Sequence, residues 1–136
     1  MHEWALAEAV ILSALETAKK KGLKRIKEIG VILGEMQNID RTIFRTALNE
    51  LALTHGKMFE GFRVNIKKEK TVFRCRSCGK EWEFSFGKNL GENEKEAIHF
   101  IPEVSHAYVK CPGCGSRDFE IIKGRGVWIK YIRGKG

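Results

Sequence analysis

Two CxxC pairs, Cys75-Arg-Ser-Cys78 and Cys111-Pro-Gly-Cys114, constrain this chain more than any other feature. Each opens a short internal repeat, FRCRSCGKEWEF over 73–84 and VKCPGCGSRDFEI over 109–121, in which a CxxCG turn runs into an aromatic-bearing strand. Two residues between cysteines let both sulfurs of one turn face a single ion, and Gly79 and Gly115 can take the left-handed conformation that closes such a turn. Two turns make a four-thiolate site. Cys75, Cys78, Cys111 and Cys114 are therefore expected to hold one structural, tetrahedral Zn²⁺ at Zn–S distances of about 2.3 Å, a closed cage with no position left for substrate. A dithiol redox pair would not need a matching second pair, whereas iron in a similar cage is an alternative that spacing leaves open.

The flanks read as an ordinary small core. Between Trp4 and Lys21, the residues Ala7, Val10, Ile11, Ala14, Leu15 and Ala18 recur at steps of three and four, which predicts an amphipathic helix ended by Gly22. Ile29, Val31 and Leu33 alternate as a strand with one buried face. Asp40 can cap a second helix with Ile43, Phe44, Ala47, Leu48 and Leu51 as its inner stripe, stopped by Gly56, and Phe62, Val64 and Ile66 alternate as a second strand. Two strands make a marginal sheet, so a third is needed. The far end supplies Phe119 to Lys123, a glycine turn at 124–126, and Val127 to Ile132, the last of which is expected to return to the first sheet.

The fold class that follows is α+β, two helices packed on a small mixed β-sheet with an inserted Cys₄ zinc-ribbon-like β domain. The expected division is a discontinuous domain of residues 1–70 and 117–136 and a zinc-binding domain of 71–116. The 32 residues between the cysteine pairs hold a polar, glycine-containing loop, Phe86 to Glu94, followed by AIHFIPEVSHAY with His99 and His106.

Composition narrows the setting. No apolar run approaches the eighteen or so residues of a membrane span, and the apolar stretch from Ala9 to Leu15 follows Glu3 and Glu8 instead of the basic residues of a leader, so a soluble, cytoplasmic protein without a membrane partner is expected. A net charge of +8 and a pI near 9.5 make nucleic acid a partner to consider. The charges are spread along the chain, however, and the densest cluster, Lys19 to Lys21 with Lys24 and Arg25, lies where a helix C-terminus favours cations. Trp82, Phe84 and Phe86 share one face by alternation, the pattern of a core more than of a base-stacking platform. The rival reading as a zinc-ribbon nucleic-acid binder is thereby weakened. Paired carboxylates, a nucleophile motif and a phosphate loop are all missing, so an enzyme is not expected.

The remaining chemistry is at the very start, MHEWAL. An unblocked Met1 amine, the backbone nitrogen of His2 and its imidazole Nδ1 can close fused chelate rings around one ion, filling three corners of a square. Strong nitrogen donors in a plane suit Ni(II) or Cu(II). The fourth corner could come from Glu3, His99 or His106, and the Glu3 backbone nitrogen could replace the terminal amine. Because amine and imidazole bind only when deprotonated, affinity should fall as pH drops.

Together, MHEWAL, the helix-strand-helix-strand order and CRSC…CPGCGS followed by FEIIKGRGVWI closely resemble the HypA family of hydrogenase maturation proteins, over essentially the whole chain. The resemblance implies a nickel-binding domain formed by the two chain ends and a structural zinc domain. It also implies nickel delivery, with the partner GTPase HypB, to the large subunit of NiFe-hydrogenase. Position by position it makes His2 the essential nickel ligand and Glu3 a neighbour acting through backbone or side chain, while the four cysteines take zinc. The segment IHFIPEVSHAY resembles archaeal members, in which the histidine of IHF can approach the nickel, and so favours His99 over His106. The +8 charge departs from the more acidic balance expected of the family, which bears on the partner surface.

Overall fold

The computed structural model describes residues 2–84 and 90–136, which divide into two compact units. The first comprises Met1–Ile32, Ile39–Lys67 and Val127–Gly136, the second Leu33–Asn38 and Lys68–Gly126.

Helix α1 (Glu3–Lys21) forms where small residues line one face, burying Ala7, Val10, Ile11, Ala14 and Ala18. Lys19, Lys20 and Lys21 in the last turn complement the helix dipole. Gly22 ends it at φ 71°, and the Leu23 N–H returns to the Ala18 carbonyl at 2.8 Å, satisfying a terminal acceptor. Strand β1 (Arg25–Gly34) follows. Helix α2 (Arg41–Leu53) starts where the Asp40 side chain accepts the Ile43 N–H at 3.0 Å, the capping expected from sequence. Its buried stripe is Phe44, Ala47, Leu48 and Ala52, whereas Ile43, expected inside, is 44% exposed. Gly56 does not itself stop the helix but begins a 3₁₀ turn three residues beyond it, Gly56–Phe59. α1 and α2 pack on each other.

The first sheet has the order β2-β1-β6, with β2 at Arg63–Glu69 and β6 at Val127–Lys135. β6 therefore does return to the first sheet. It runs antiparallel to β1, since the Lys24 N–H meets the Lys135 carbonyl at 2.7 Å while the Gly34 N–H meets that of Gly126 at 2.8 Å. Where the strands neighbour one another, Gly30 makes room for a ring: a Cβ there would lie 2.2 Å from Tyr131 Cε1.

The second sheet has the order β4-β3-β5, with β3 at Thr71–Cys75, β4 at Glu81–Phe84 and β5 at Phe119–Lys123. Both pairings are antiparallel, Phe73 opposite Trp82 on one side and Ile121 on the other, with Cys75 opposite Phe119. β5 was expected to begin the return to the first domain at residue 117. It pairs with β3 instead, because Phe119 is fully buried in the aromatic core of the second unit, so the chain changes units at the Gly124–Gly126 turn.

That core gathers Met36, Phe73, Ile98, Val109 and Phe119. Ile98 is carried by helix α3 (Glu92–Phe100), which packs on the 3₁₀ turns Glu35–Gln37 and Pro102–Ala107. This third helix begins inside a stretch expected to be a polar loop; the earlier part of that loop, with Phe86, lies outside the described residues.

Candidate metal centres

β3 has a buried, half-buried, buried, exposed, buried pattern that turns Thr71, Phe73 and Cys75 to one side. The alternation that puts Phe73 in the core therefore also puts the Cys75 sulfur at its margin. From there the turn closes through the Gly79 N–H to the Cys75 carbonyl at 2.9 Å, with Gly79 at φ 78°. The second turn repeats this atom for atom: Gly115 N–H to Cys111 carbonyl at 2.9 Å, with φ 75°. Each first cysteine also donates its own N–H at 2.8 Å to the residue five further on, Cys75 to Lys80 and Cys111 to Ser116. The sequence repeat is thus a structural repeat, and Ser77 Oγ bonds Ser116 Oγ across it at 3.2 Å.

All four cysteines are free thiols, and their sulfurs lie within 4.8 Å of one another. Cys75 and Cys114 approach to 3.5 Å, Cys78 and Cys111 to 3.6 Å. A tetrahedron of sulfurs at 2.3 Å from a central ion has edges of about 3.8 Å, so the group is shaped to close on one ion. Backbone amides already point at the sulfurs, Cys78 N–H to Cys75 Sγ at 3.5 Å and Gly113 N–H to Cys111 Sγ at 3.4 Å.

The protonation of this group says what it needs. The Cys78 amide, against some desolvation, pulls the Cys75 thiol down to about 6. Cys111 is opposed by burial but lowered on balance by the amides of Cys114 and Gly113. At Cys114 the Ser116 amide lowers, yet the Cys75 thiol, burial and the other two thiols raise it to about 11. Without a cation, ionising one sulfur suppresses the next. A soft dication removes that conflict, and four thiolates around it fit zinc.

At the chain start the structure gives Glu3 a task that sequence reading did not foresee. The residue is 6% exposed, and one carboxylate oxygen accepts the Asp40 backbone N–H at 3.0 Å, tying the beginning of α1 to the cap of α2. Burial alone would raise its pKa. The positive charge at the amino terminus, two residues away in the chain, and hydrogen bonds from the amides of Asp40 and of Glu3 itself outweigh burial, and the pKa is lowered from 4.5 to about 2. His2 is exposed, and its carbonyl accepts the first helical bond, from the Leu6 N–H at 2.9 Å. Met1, the other expected donor, lies outside the described residues.

The two candidate histidines differ in surroundings. His99, on α3, is 6% exposed. His106 stacks on Phe119 with ring centroids 4.3 Å apart, and its Nδ1 is 2.8 Å from the Arg117 carbonyl. That is a structural contact bracing β5. Trp82 and Phe84 pack onto the core of the second unit, Trp82 edge-on to Phe73 at 5.6 Å, so these two aromatics serve burial and not base stacking.

Comparison with known proteins places this arrangement. A family model described as hydrogenase/urease nickel incorporation, metallochaperone, hypA matches residues 1–134. The hydrogenase maturation factor HypA of Pyrococcus horikoshii is 47% identical over 134 residues, covering 98% of this chain and 95% of that protein. That of Thermococcus onnurineus is 46% identical with the same coverage, 98% and 95%. The solution structure of the Ni metallochaperone HypA from Helicobacter pylori shares the fold, with TM-score 0.65 at 20% identity over 99% of this chain and 98% of that one.

Proposed function

Because this chain belongs to the HypA family of hydrogenase maturation nickel metallochaperones, we propose that it carries Ni(II) at its amino terminus and hands it, with the partner GTPase HypB, to the large subunit of NiFe-hydrogenase in the cytoplasm. The observation that carries this reading is the exposed His2 at the head of a helix whose Glu3 side chain is already engaged by Asp40. A helix offers no internal acceptor to its first amides, so the His2 backbone nitrogen can deprotonate and join the metal without breaking the ladder.

In this reading the Met1 amine, the His2 backbone nitrogen and His2 Nδ1 make three corners of a planar site. Glu3 takes part as the neighbour that anchors the chelate, its backbone nitrogen standing by as a further donor. His99 is the proposed additional ligand. The four cysteines, Cys75, Cys78, Cys111 and Cys114, keep a structural Zn²⁺, and the reduced thiols of that cage suit a reducing compartment. Carriage and release need opposite properties from the two centres. A terminal chelate exchanges its ion readily, while a closed thiolate cage retains it.

Nickel titration of tag-free protein, beside a version extended by a few residues before Met1 and beside His2→Ala, tests the proposal. One nickel per chain is expected, lost in both altered proteins, with zinc content unchanged in all three. Equal nickel binding by the extended protein would exclude the terminal amine, and equal binding by His2→Ala would end the reading. His99→Ala should change nickel affinity or the rate of transfer to an acceptor chelator, and no change in either would remove His99 from the site.

A further inference from the structure

β6 is an end strand of the first sheet, and its outer edge opens on a trough that the metal chemistry leaves unused. A hollow of about 640 Å³ is lined by Thr17, Lys21 and Leu23 together with six successive strand residues, 129–134. Successive residues of a strand point to opposite faces, so an unbroken run of six means that the hollow follows the strand's edge, where backbone groups are exposed. A second hollow of about 320 Å³ continues it toward the start of α1, sharing Thr17 and Ile129 and adding Leu6, Val10 and Trp128. Trp128 stands 46% exposed beside it. The whole trough parallels a nine-residue strand, a span of about 30 Å.

Its charge has one sign. The charged residues lining the two hollows are Lys21, Lys130 and Arg133, with no Asp or Glu among the lining residues. Arg133 is shared with Glu28 at 4.0 Å and lies over the Tyr131 ring at 5.1 Å, while Lys21 and Lys130 have no ion pair among the described residues. A second copy of this chain is a poor occupant, since pairing two β6 edges brings Lys130 and Arg133 against their own kind in molecules of charge +8.

We infer that the α1–β6 trough receives an extended, acidic segment of a partner protein, which adds a strand to the β6 edge, seats an apolar side chain against Trp128 and Leu6, and sets carboxylates against Lys21, Lys130 and Arg133. Main-chain pairing then supplies affinity and the alternate side chains supply selection. The basic cluster at the end of α1, assigned from sequence to helix-dipole complementarity, thereby gains a second use through Lys21. The inference does not depend on the nickel reading.

The probe is a fluorescein-labelled nine-residue peptide of alternating valine and glutamate, titrated into the zinc-loaded full-length chain. A lysine-for-glutamate version, a version with central prolines and an oligothymidine of equal charge serve as comparators. The valine-glutamate peptide should bind and slow amide exchange along residues 127–135, Lys130→Glu should weaken it roughly tenfold, and His2→Ala should leave it unchanged. The prolyl peptide should fail despite its charge, since it cannot pair as a strand. Equal binding of the prolyl peptide or the oligothymidine would reduce the site to a polyanion patch and overturn the inference, as would exchange protection elsewhere or a β6-paired homodimer that excludes the peptide.

Discussion

Glu3 is where a single atom's environment can be tested against two roles. Its carboxylate holds the Asp40 amide at 3.0 Å and is lowered to about 2. A depressed pKa contributes stability above the unfolded value of 4.5, and that contribution is lost as pH falls toward about 2. Glu3→Gln keeps the shape and an acceptor but not the charge. It should cost about 1–2 kcal/mol at neutral pH, as expected for a hydrogen bond to a charged group after solvent screening. The difference from wild type should shrink through the window from pH 4.5 to about 2, read as chemical denaturation followed by helix ellipticity. A constant difference across that window would mean the charge is irrelevant. The residue scale also shows what sequence discloses. Asp40 was legible as a cap because the partner amide is three residues away, and the cysteines because a metal fixes their spacing. Glu3 was not, since its partner is 37 residues distant and only the packing of α1 on α2 brings them together.

At the scale of elements, the first sheet rests on a close fit between neighbours. The Tyr131 ring occupies the space a side chain at Gly30 would need, and its hydroxyl donates to Glu28 while accepting from Asn65 Nδ2 at 3.2 Å. Gly30→Ala should destabilise the chain by about 1–3 kcal/mol through overpacking. Adding Tyr131→Ala should cost less in that background than alone, because the clash is removed with the ring. Denaturant midpoints of the four proteins measure this, and strict additivity would show that the ring moves aside. Periodicity revealed α1, β1, α2, β2 and β6 because each buries a regular face. It missed α3, whose first turn is acidic, whose cap is Gly91 without a side-chain bond, and whose inward contribution centres on Ile98. It left the sheet of β5 open, as the alternation of 119–123 fits either one, and the rings of Phe73 and Phe119, with centroids 4.5 Å apart, go with its pairing to β3.

For the whole molecule, the proposed function assigns nickel and zinc to separate donor sets, and on that reading the two ions should be removable separately. Among the described residues, the second unit gathers its buried core from Met36, Phe73, Ile98, Val109 and Phe119, and a core of that size relies on its ion. Cys75→Ser should therefore abolish zinc retention and expose Trp82, seen as a red-shifted emission, while helix ellipticity from α1 and α2 largely persists. Acidification should separate the centres without mutation. Nitrogen donors regain protons nearer neutrality than zinc-bound thiolates do, so stepwise lowering of pH on doubly loaded protein should release nickel first and zinc later. Metal analysis after buffer exchange at each step measures both. Simultaneous loss would mean that nickel shares the sulfur cage, in which case His2→Ala would leave the nickel release curve where it was; with separate centres, that substitution eliminates the early step and leaves the zinc step in place.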